Sequence, residues 1–286
     1  MKNSRTFSFI IILFSYLVAA AAGLFVYNNL PYSLWLRILI ADLAATVVIW
    51  LFSLIFDNAS IYDPYWSLQP IVILNFLLWQ TGVFSTSSLL LCLIVNLWGL
   101  RLTINWAVTF RGLHVQDWRY DLIKDKVGWI YPLANLLGIQ LMPTLIVYTC
   151  LLPAVIFITS GGGFSLLTAA GLLISLTGLL LESISDWQMH AFRRQTSDRT
   201  KINRCGLWNH SRHPNYLGEI MMWWGVYLVM LPIYPQFWYL GIGAVLNTAL
   251  FFLISIPLNE KRLAGYKSNF GEYREQTRVL LPLRKK

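Results

Sequence analysis

A nine-residue stretch, SRHPNYLGE at residues 211–219, contains the residue types best suited to binding or chemistry in this chain. Pro214 favours an extended conformation for the residue before it and suits the first position of a helix. The free N–H groups of that first turn, with the two-pronged guanidinium of Arg212, favour a phosphate or a carboxylate. Asn215 and Glu219 would share a helix face. The stretch therefore predicts an anion site, although a proline-started membrane helix with polar flanks explains the same pattern.

Two acidic residues and a basic run precede that stretch. Glu182 and Asp186 are four residues apart, so both carboxylates would lie on one face of a helix. Five cations follow in the sequence: Arg193, Arg194, Arg199, Lys201 and Arg204. Such a run binds either the phosphates of a polyanionic cofactor or the headgroups of anionic lipids. The residues alone leave both interpretations open.

A third polar group lies within an apolar segment. Trp98, Arg101 and Asn105 follow one another at spacings of three and four, so they share a helix face. Arg101 precedes Arg111 by ten residues, which places it ~15 Å inside the predicted membrane boundary. A charge at that depth costs ~3 kcal/mol or more without a partner or a wet cavity. We expect Arg101 either to pair with Asp42 or to line the mouth of a ligand cavity.

Motifs for metal ions and for nucleotide-binding folds are missing from the sequence. It contains four histidines, too few for a multi-histidine di-iron enzyme, and its three cysteines form no CxxC pair. No GxGxxG or GK[ST] pattern occurs either. We therefore expect no metal site and no Rossmann or P-loop domain.

The composition indicates what kind of scaffold holds these residues. Of 286 residues, 57% are hydrophobic and 12% are charged, about half the charged fraction of an ordinary soluble domain. This excludes a soluble globule or a disordered chain and predicts an all-α, polytopic transmembrane helix bundle, a single transmembrane domain over 1–286. We expect about eight spans, or seven if 216–258 is partly re-entrant. The candidates are 7–27, 35–56, 66–84, 88–110, 139–160, 164–184, 216–232 and 236–258.

The charges predict the orientation of those spans. The net charge is +9, and 20 of the 22 lysines and arginines fall in segments that lie on one side of an eight-span layout. The positive-inside rule then places both termini, and an active site, in the cytoplasm. It also explains the positive charge without nucleic acid. We expect the lipid bilayer as a partner and see no sign of an obligate protein partner.

The ordered motifs resemble a known family. They are DPYWS at 63–67, WGLRLT at 98–103, DWRY at 117–120, SD at 185–186, FR at 192–193, GLW at 206–208, SRHPNYLGE at 211–219, WWG at 223–225, Pro257, Glu260, Tyr266, Tyr273 and LP at 281–282. Together they resemble the steroid 5-alpha-reductase family, in its bacterial-type DUF1295 membrane branch. The resemblance covers roughly residues 60–283.

This resemblance implies an NADPH-dependent oxidoreductase that acts on CH–CH groups. Such an enzyme reduces the conjugated C=C bond of a hydrophobic, steroid- or lipid-like enone by hydride transfer to the β-carbon and then protonation. Residue by residue, the resemblance assigns NADPH binding to Arg111, Arg119, Asp186, Arg193, Arg212, His213, Asn215, Tyr216 and Glu219. In animal steroid reductases, a tyrosine at the position of Trp98 polarises the substrate ketone together with a glutamate of an earlier span. In this chain Asp63 and Tyr65 are the nearest substitutes for those groups. The implied catalytic residues are Asp63, Tyr65, Trp98 and Arg101.

Two other functions fit the same motifs. Isoprenylcysteine and phospholipid methyltransferases use a similar Arg-His-Pro-x-Tyr element to bind S-adenosylmethionine, and a non-catalytic lipid-binding membrane protein is the second alternative. The basic run at 193–204 favours NADPH, because S-adenosylmethionine has no phosphate that needs several cations.

Overall fold

The computed structural model describes residues 4–82 and 84–281. Of the predicted cytoplasmic terminal segments, residues 1–3 and 282–286, including the motif residue Pro282, lie outside the described residues. Over the described residues the chain is helical and contains no strand, apart from an isolated bridge between Ser211 and Arg278. The helices are α1 (Arg5–Asn29), α2 (Leu34–Ile55), α3 (Tyr65–Thr81), α4 (Thr86–Thr109), α5 (Trp118–Val127), α6 (Tyr131–Ala134), α7 (Met142–Thr159), α8 (Leu166–Gln195), α9 (Pro214–Met230), α10 (Ile242–Leu250), α11 (Ile256–Tyr266) and α12 (Phe270–Gln276).

Six helical stretches of the described chain are long and apolar enough to cross a membrane. They are Arg5–Asn29, Leu34–Ile55, Thr86–Thr109, Trp118–Thr159, Leu166–Gln195 and Pro235–Tyr266. The all-α, multi-pass prediction is thereby confirmed. The other two predicted spans correspond to α3 and α9, which have 17 residues each. A helix of that length extends about 25 Å, less than the ~30 Å hydrocarbon core, so the count of eight spans remains a prediction.

Local sequence explains where several helices begin. Ser4 caps α1 by accepting a hydrogen bond from the N–H of Phe7, at 3.3 Å. Ser165 caps α8 in the same way, accepting from the N–H of Thr168 at 3.0 Å. Pro214 occupies the first position of α9, and His213 before it is non-helical with φ −139° and ψ 60°. The proline predicted this start of α9, and it predicted an extended His213, whose ψ of 60° is non-helical but outside the extended region.

Two helical stretches contain π-helical segments. Asn135–Leu141 joins α6 to α7, and Phe251–Ser255 joins α10 to α11. A π segment adds a residue to the turn and rotates the side chains that follow relative to a regular helix. No pattern in the sequence indicated either π-helical segment.

The chain forms two compact units. The first combines Met1–Gly82 with Val95–Leu152, and the second combines Val83–Ile94 with Pro153–Lys286. A core in the first unit contains fully buried residues such as Ile49, Ile61 and Tyr62. In the second unit, α8 packs along α9.

Glycines allow α8 and α9 to approach closely. A Cβ added at Gly178 would lie 2.5 Å from the carbonyl oxygen of Gly218 and 2.7 Å from the backbone nitrogen of Met222. A Cβ added at Gly218 would lie 2.4 Å from Cγ of Glu182. Small residues in such positions let two membrane helices pack backbone against backbone. We call Gly171, Gly178, Gly218 and Gly225 the glycine seam; it holds Glu182 against the first turns of α9.

Candidate functional site

The start of α9 is buried and held by the C-terminal segment. Arg212 and His213 are 6% and 2% exposed. The N–H of Arg212 donates to the carbonyl of Arg278 at 3.0 Å, and the N–H of His213 donates to the carbonyl of Val279 at 3.1 Å. These bonds join two pieces of extended backbone that are far apart in the sequence. The segment 277–280 therefore fixes the residues that begin α9.

The guanidinium of Arg212 binds groups within the protein. Its Nε donates to Oε1 of Glu260 at 2.7 Å, and its Nη1 donates to the carbonyls of Arg274, at 3.1 Å, and Thr277. The two side chains of the ion pair are only 5% and 12% exposed. The guanidinium of Arg212 thus binds a carboxylate, which is one of the two kinds of anion that the sequence predicted for it.

Glu260 gathers further polar groups around the same point. The Nε2 atom of His213 lies 3.2 Å from Oε1 of Glu260, and Nε of Arg274 lies 3.8 Å from Oε2. The imidazole stacks on the ring of Tyr216, with centroids 5.1 Å apart and planes 3° apart. We call Arg212, His213, Glu260 and Arg274 the Glu260 cluster. It contains Arg212 and His213 of the predicted cofactor residues, and Tyr216, a third, stacks against it.

The other predicted cofactor residues of this unit lie on α8 and α9. Glu219 is 6% exposed, and its Oε1 accepts from Nε1 of Trp223 at 2.9 Å, one turn along α9. Asn215 is half-buried in the first turn of α9, and Asp186 is half-buried on α8. Glu182, one turn before Asp186, is 2% exposed. The acidic side chains of this region are thus mostly enclosed.

The basic run occupies the last turn of α8 and the exposed loop that follows it, and we call residues 193–204 the cationic loop. The side chains of Arg193, Arg194, Arg199, Lys201 and Arg204 are all exposed. The loop is held by Lys267, whose Nζ donates to the carbonyls of Arg199 at 2.8 Å and Lys201 at 2.5 Å. Burial, and after it the charge of Arg193, lower the pKa of the Lys267 ammonium. The loop therefore presents several cations on a backbone that is tied to the C-terminal part of the unit.

In the first unit, Tyr65 belongs to a buried polar group. Its Oη donates to Oδ1 of Asp42 at 2.8 Å, and Nε2 of Gln69 donates to Oδ2 of the same carboxylate. Tyr65 and Asp42 are 8% and 5% exposed. A phenol that shares a hydrogen bond with a carboxyl group is suited to proton transfer. Sequence reasoning named Tyr65 but missed this role for Asp42 and Gln69.

Trp98 and Arg101 lie on α4 in the same unit. Trp98 is fully buried, and its ring meets that of Trp66 edge-on, with centroids 5.9 Å and planes 62° apart. Arg101 is half-buried. The alternative partner considered for Arg101, Asp42, has Tyr65 and Gln69 as its own donors.

Asp63 precedes α3 and is half-buried. Its Oδ1 accepts from Oη of Tyr120 at 2.5 Å. Burial raises the pKa of Asp63 to about 6, although the bond from Tyr120 and the charge of Arg119 act in the opposite direction. Two of the predicted cofactor residues, Arg111 and Arg119, also belong to the first unit. Arg119 pairs with Asp117 at 2.8 Å, and Arg111 is exposed in the segment after α4.

The predicted site residues thus divide between the two units. The first holds Asp63, Tyr65, Trp98, Arg101, Arg111 and Arg119, and the second holds Asp186, Arg193, Arg212, His213, Asn215, Tyr216 and Glu219. Sequence reasoning missed Glu260 as a site residue. Its place among the family motifs was a signal, but no local pattern linked it to Arg212.

Comparison with known proteins identifies the family. The model of DUF1295, a family described as a protein of unknown function, matches residues 49–278. The chain belongs to the DUF1295 family. An uncharacterized protein of Schizosaccharomyces pombe is similar to this DUF1295 chain, with 27% identity over 233 residues. That similarity covers 71% of the present chain and 66% of the relative, so the chain spans less than two thirds of the relative's length. No solved structure matches the chain significantly. The DUF1295 match includes Tyr65, Arg212 and Glu260, whereas Asp42 precedes it.

Proposed function

We propose that this DUF1295 protein is an integral membrane reductase that uses NADPH to reduce the conjugated C=C bond of a hydrophobic, steroid- or lipid-like enone. The exposed cationic loop is the observation that carries this proposal. The resemblance to steroid 5-alpha-reductases supplies the reaction. In the orientation that the charges predict, this chemistry would take place on the cytoplasmic side.

The residues of the second unit fit a phosphorylated nucleotide. Exposed guanidinium groups such as those of Arg193 and Arg199 form bidentate bonds to phosphate, and a 2′-phosphate adds a further anion to hold. Asn215 and Tyr216 would add hydrogen bonds from the first turn of α9. Glu260 neutralises Arg212, so we assign Arg212 to shaping this turn as well as to binding NADPH.

The residues of the first unit fit the proton chemistry of enone reduction. When bound, NADPH would supply the hydride for the β-carbon of the substrate. Tyr65 would give its hydroxyl proton to the carbonyl oxygen as negative charge develops there. In that step the 2.8 Å hydrogen bond between the two side chains of Tyr65 and Asp42 would reverse its direction, and Asp42 in its carboxylic acid form would donate a proton to Tyr65 as the phenol proton leaves. Arg101, Trp98 and Asp63 would bind and orient the substrate.

Calorimetry on detergent-solubilised protein tests the cofactor. We expect NADPH to bind more tightly than NADH, with no heat from S-adenosylmethionine. Incubation with NADPH and a panel of enone lipids should then yield saturated ketones, measured by mass spectrometry. Binding of S-adenosylmethionine without NADPH would contradict the proposal and support the methyltransferase alternative. Failure of all three ligands to bind would support a non-catalytic lipid-binding protein.

A further inference from the structure

A groove of about 470 Å³ lies at the C-terminal segment and is bordered by Phe252 of the π-helical segment Phe251–Ser255. Arg212, Arg274, Arg278, Phe252, Leu280 and Leu281 line it. Its volume falls within the range of small-molecule binding sites. All these residues belong to the second unit. The proposed NADPH function uses Arg212, but neither it nor the family description assigns a role to the rest of this groove.

The charges on the groove are mainly positive. Three guanidinium groups line it, and Glu260 is the carboxylate that pairs with Arg212 and lies near Arg274. The side chain of Arg274 is 68% exposed, and Arg278 is exposed as well. These three guanidinium groups outnumber the one paired carboxylate by two, and those of Arg274 and Arg278 are accessible from outside. This arrangement suits an anion.

The opposite wall is apolar and continues onto a membrane-facing helix. Phe252 is 49% exposed, and the next two residues, Leu253 and Ile254, are 76% and 47% exposed. These residues belong to Pro235–Tyr266, one of the stretches long and apolar enough to span a membrane. Large apolar side chains exposed on such a helix face lipid chains rather than water. The groove thus joins a lipid-facing surface to a pair of exposed arginines.

We propose that this groove binds an anionic phospholipid of the surrounding bilayer. The phosphate would lie between Arg274 and Arg278, and an acyl chain would run along Phe252 and the apolar residues that follow it. Basic residues at the end of a spanning helix attract anionic lipids in this way, and the cytoplasmic leaflet carries such lipids. The site is separate from the proposed NADPH-binding loop and does not depend on a reductase activity.

Native mass spectrometry of the full chain in detergent tests the site with phosphatidylglycerol and phosphatidylcholine of matched acyl chains. We expect retention of phosphatidylglycerol. The double variant Arg274→Gln with Arg278→Gln should weaken it on the order of 30-fold, at about a tenfold loss per 1.4 kcal/mol and about 1 kcal/mol per basic residue. Lys126→Gln with Lys261→Gln removes the same charge from exposed positions outside the groove and should retain the lipid.

Three results would overturn the proposal. Equal retention of the two lipids would show no preference for anionic headgroups. Displacement of phosphatidylglycerol by inorganic phosphate at similar concentration would identify a site for small anions without an apolar part. Loss of NADPH affinity with unchanged lipid retention in the groove variant would assign the two arginines to the cofactor. The variant should fold, because the C-terminal segment holds Arg212 through backbone carbonyls that the substitutions leave in place.

Discussion

Nε of Arg212 donates to Oε1 of Glu260 across 2.7 Å, although 48 residues separate the two in the chain. Both side chains are almost fully enclosed. Charge-assisted bonds of this kind are shorter and stronger than neutral ones, and a buried charge that loses its partner is costly. The pair therefore links the start of α9 to α11 and makes the geometry of the RHPN residues depend on the C-terminal part of the chain.

Arg212→Lys should destabilise the C-terminal segment while keeping the charge. Lysine offers a point charge on a flexible stem and cannot reproduce the bonds of Nε and Nη1 to Glu260 and to two carbonyls. We expect a loss of roughly 2 kcal/mol of unfolding free energy, with faster hydrogen exchange at 274–280. Arg194→Lys, at an exposed arginine in the last turn of α8, is the control. A variant with parental exchange and stability that fails to bind NADPH would instead identify Arg212 as a ligand-binding residue alone.

The cationic loop should make the protein prefer NADPH to NADH. A bidentate arginine–phosphate contact contributes ~1.5–3 kcal/mol, so loss of the 2′-phosphate should weaken binding by about 10- to 100-fold. Arg193→Gln with Arg199→Gln should remove much of this preference in calorimetric titrations. Lys126→Gln with Lys261→Gln should leave it intact. Equal affinities for the two nucleotides in the parent protein would refute the assignment.

Tyr65→Phe should slow enone reduction by at least ~100-fold and leave NADPH affinity unchanged, because it removes the proposed proton donor. The matched control is Tyr62→Phe. That phenol is also buried, but its Oη is hydrogen-bonded to the neutral hydroxyl of Thr144 at 2.8 Å. Turnover and nucleotide binding are measured on both variants. Equal turnover in the two would show that Tyr65 is a structural residue.

Gly178→Ala should destabilise the packing of α8 on α9. The new methyl group would overlap the carbonyl of Gly218 and the backbone nitrogen of Met222, so the helices must separate, at a cost of about 1–3 kcal/mol. Gly265→Ala on α11 is the control, because no heavy atom lies within 4 Å of its added Cβ. Alanine there should leave stability unchanged or raise it by up to about 1 kcal/mol. Thermal unfolding in detergent measures both, and equal midpoints would contradict the close approach.

Asp63 should make stability depend on pH. Burial raises its pKa from 3.8 to about 6, so the folded state binds the proton more tightly than the unfolded state. The stabilisation is complete below about pH 4 and is lost as the pH rises through about 6. Asp63→Asn should therefore flatten the dependence of the unfolding midpoint on pH in this window.

Tyr120→Phe extends the test of Asp63. The phenol of Tyr120 donates to the carboxylate and lowers the pKa of Asp63, so its removal should move the pH-dependent window upward. The unfolding midpoint of each variant is recorded across the pH range. A window that stays in place in Tyr120→Phe, or persists in Asp63→Asn, would assign the dependence to another group.

The sequence predicted the features that depend on neighbouring residues. Apolar runs located the helices, and Pro214 located the start of α9, because both act within a few residues. The partners of Arg212 and Tyr65 could not be predicted in this way. Glu260 lies beyond a π-helical segment that resets which side chains face the core, and Asp42 lies 23 residues before Tyr65 on another helix. Such contacts depend on how helices pack, which periodicity alone does not encode.

The bonds of Arg212 also fix an order of events during synthesis. One of its carbonyl acceptors belongs to Thr277, 65 residues further along the chain. A ribosome adds roughly 5–20 residues per second, so Arg212 is made on the order of 3 to 13 seconds before that acceptor exists. The buried charge at the start of α9 therefore gains this acceptor only after residue 277 has been made. A chain truncated just before Thr277 would thus contain α1 to α12 but would lack one of the carbonyl acceptors of the Arg212 guanidinium.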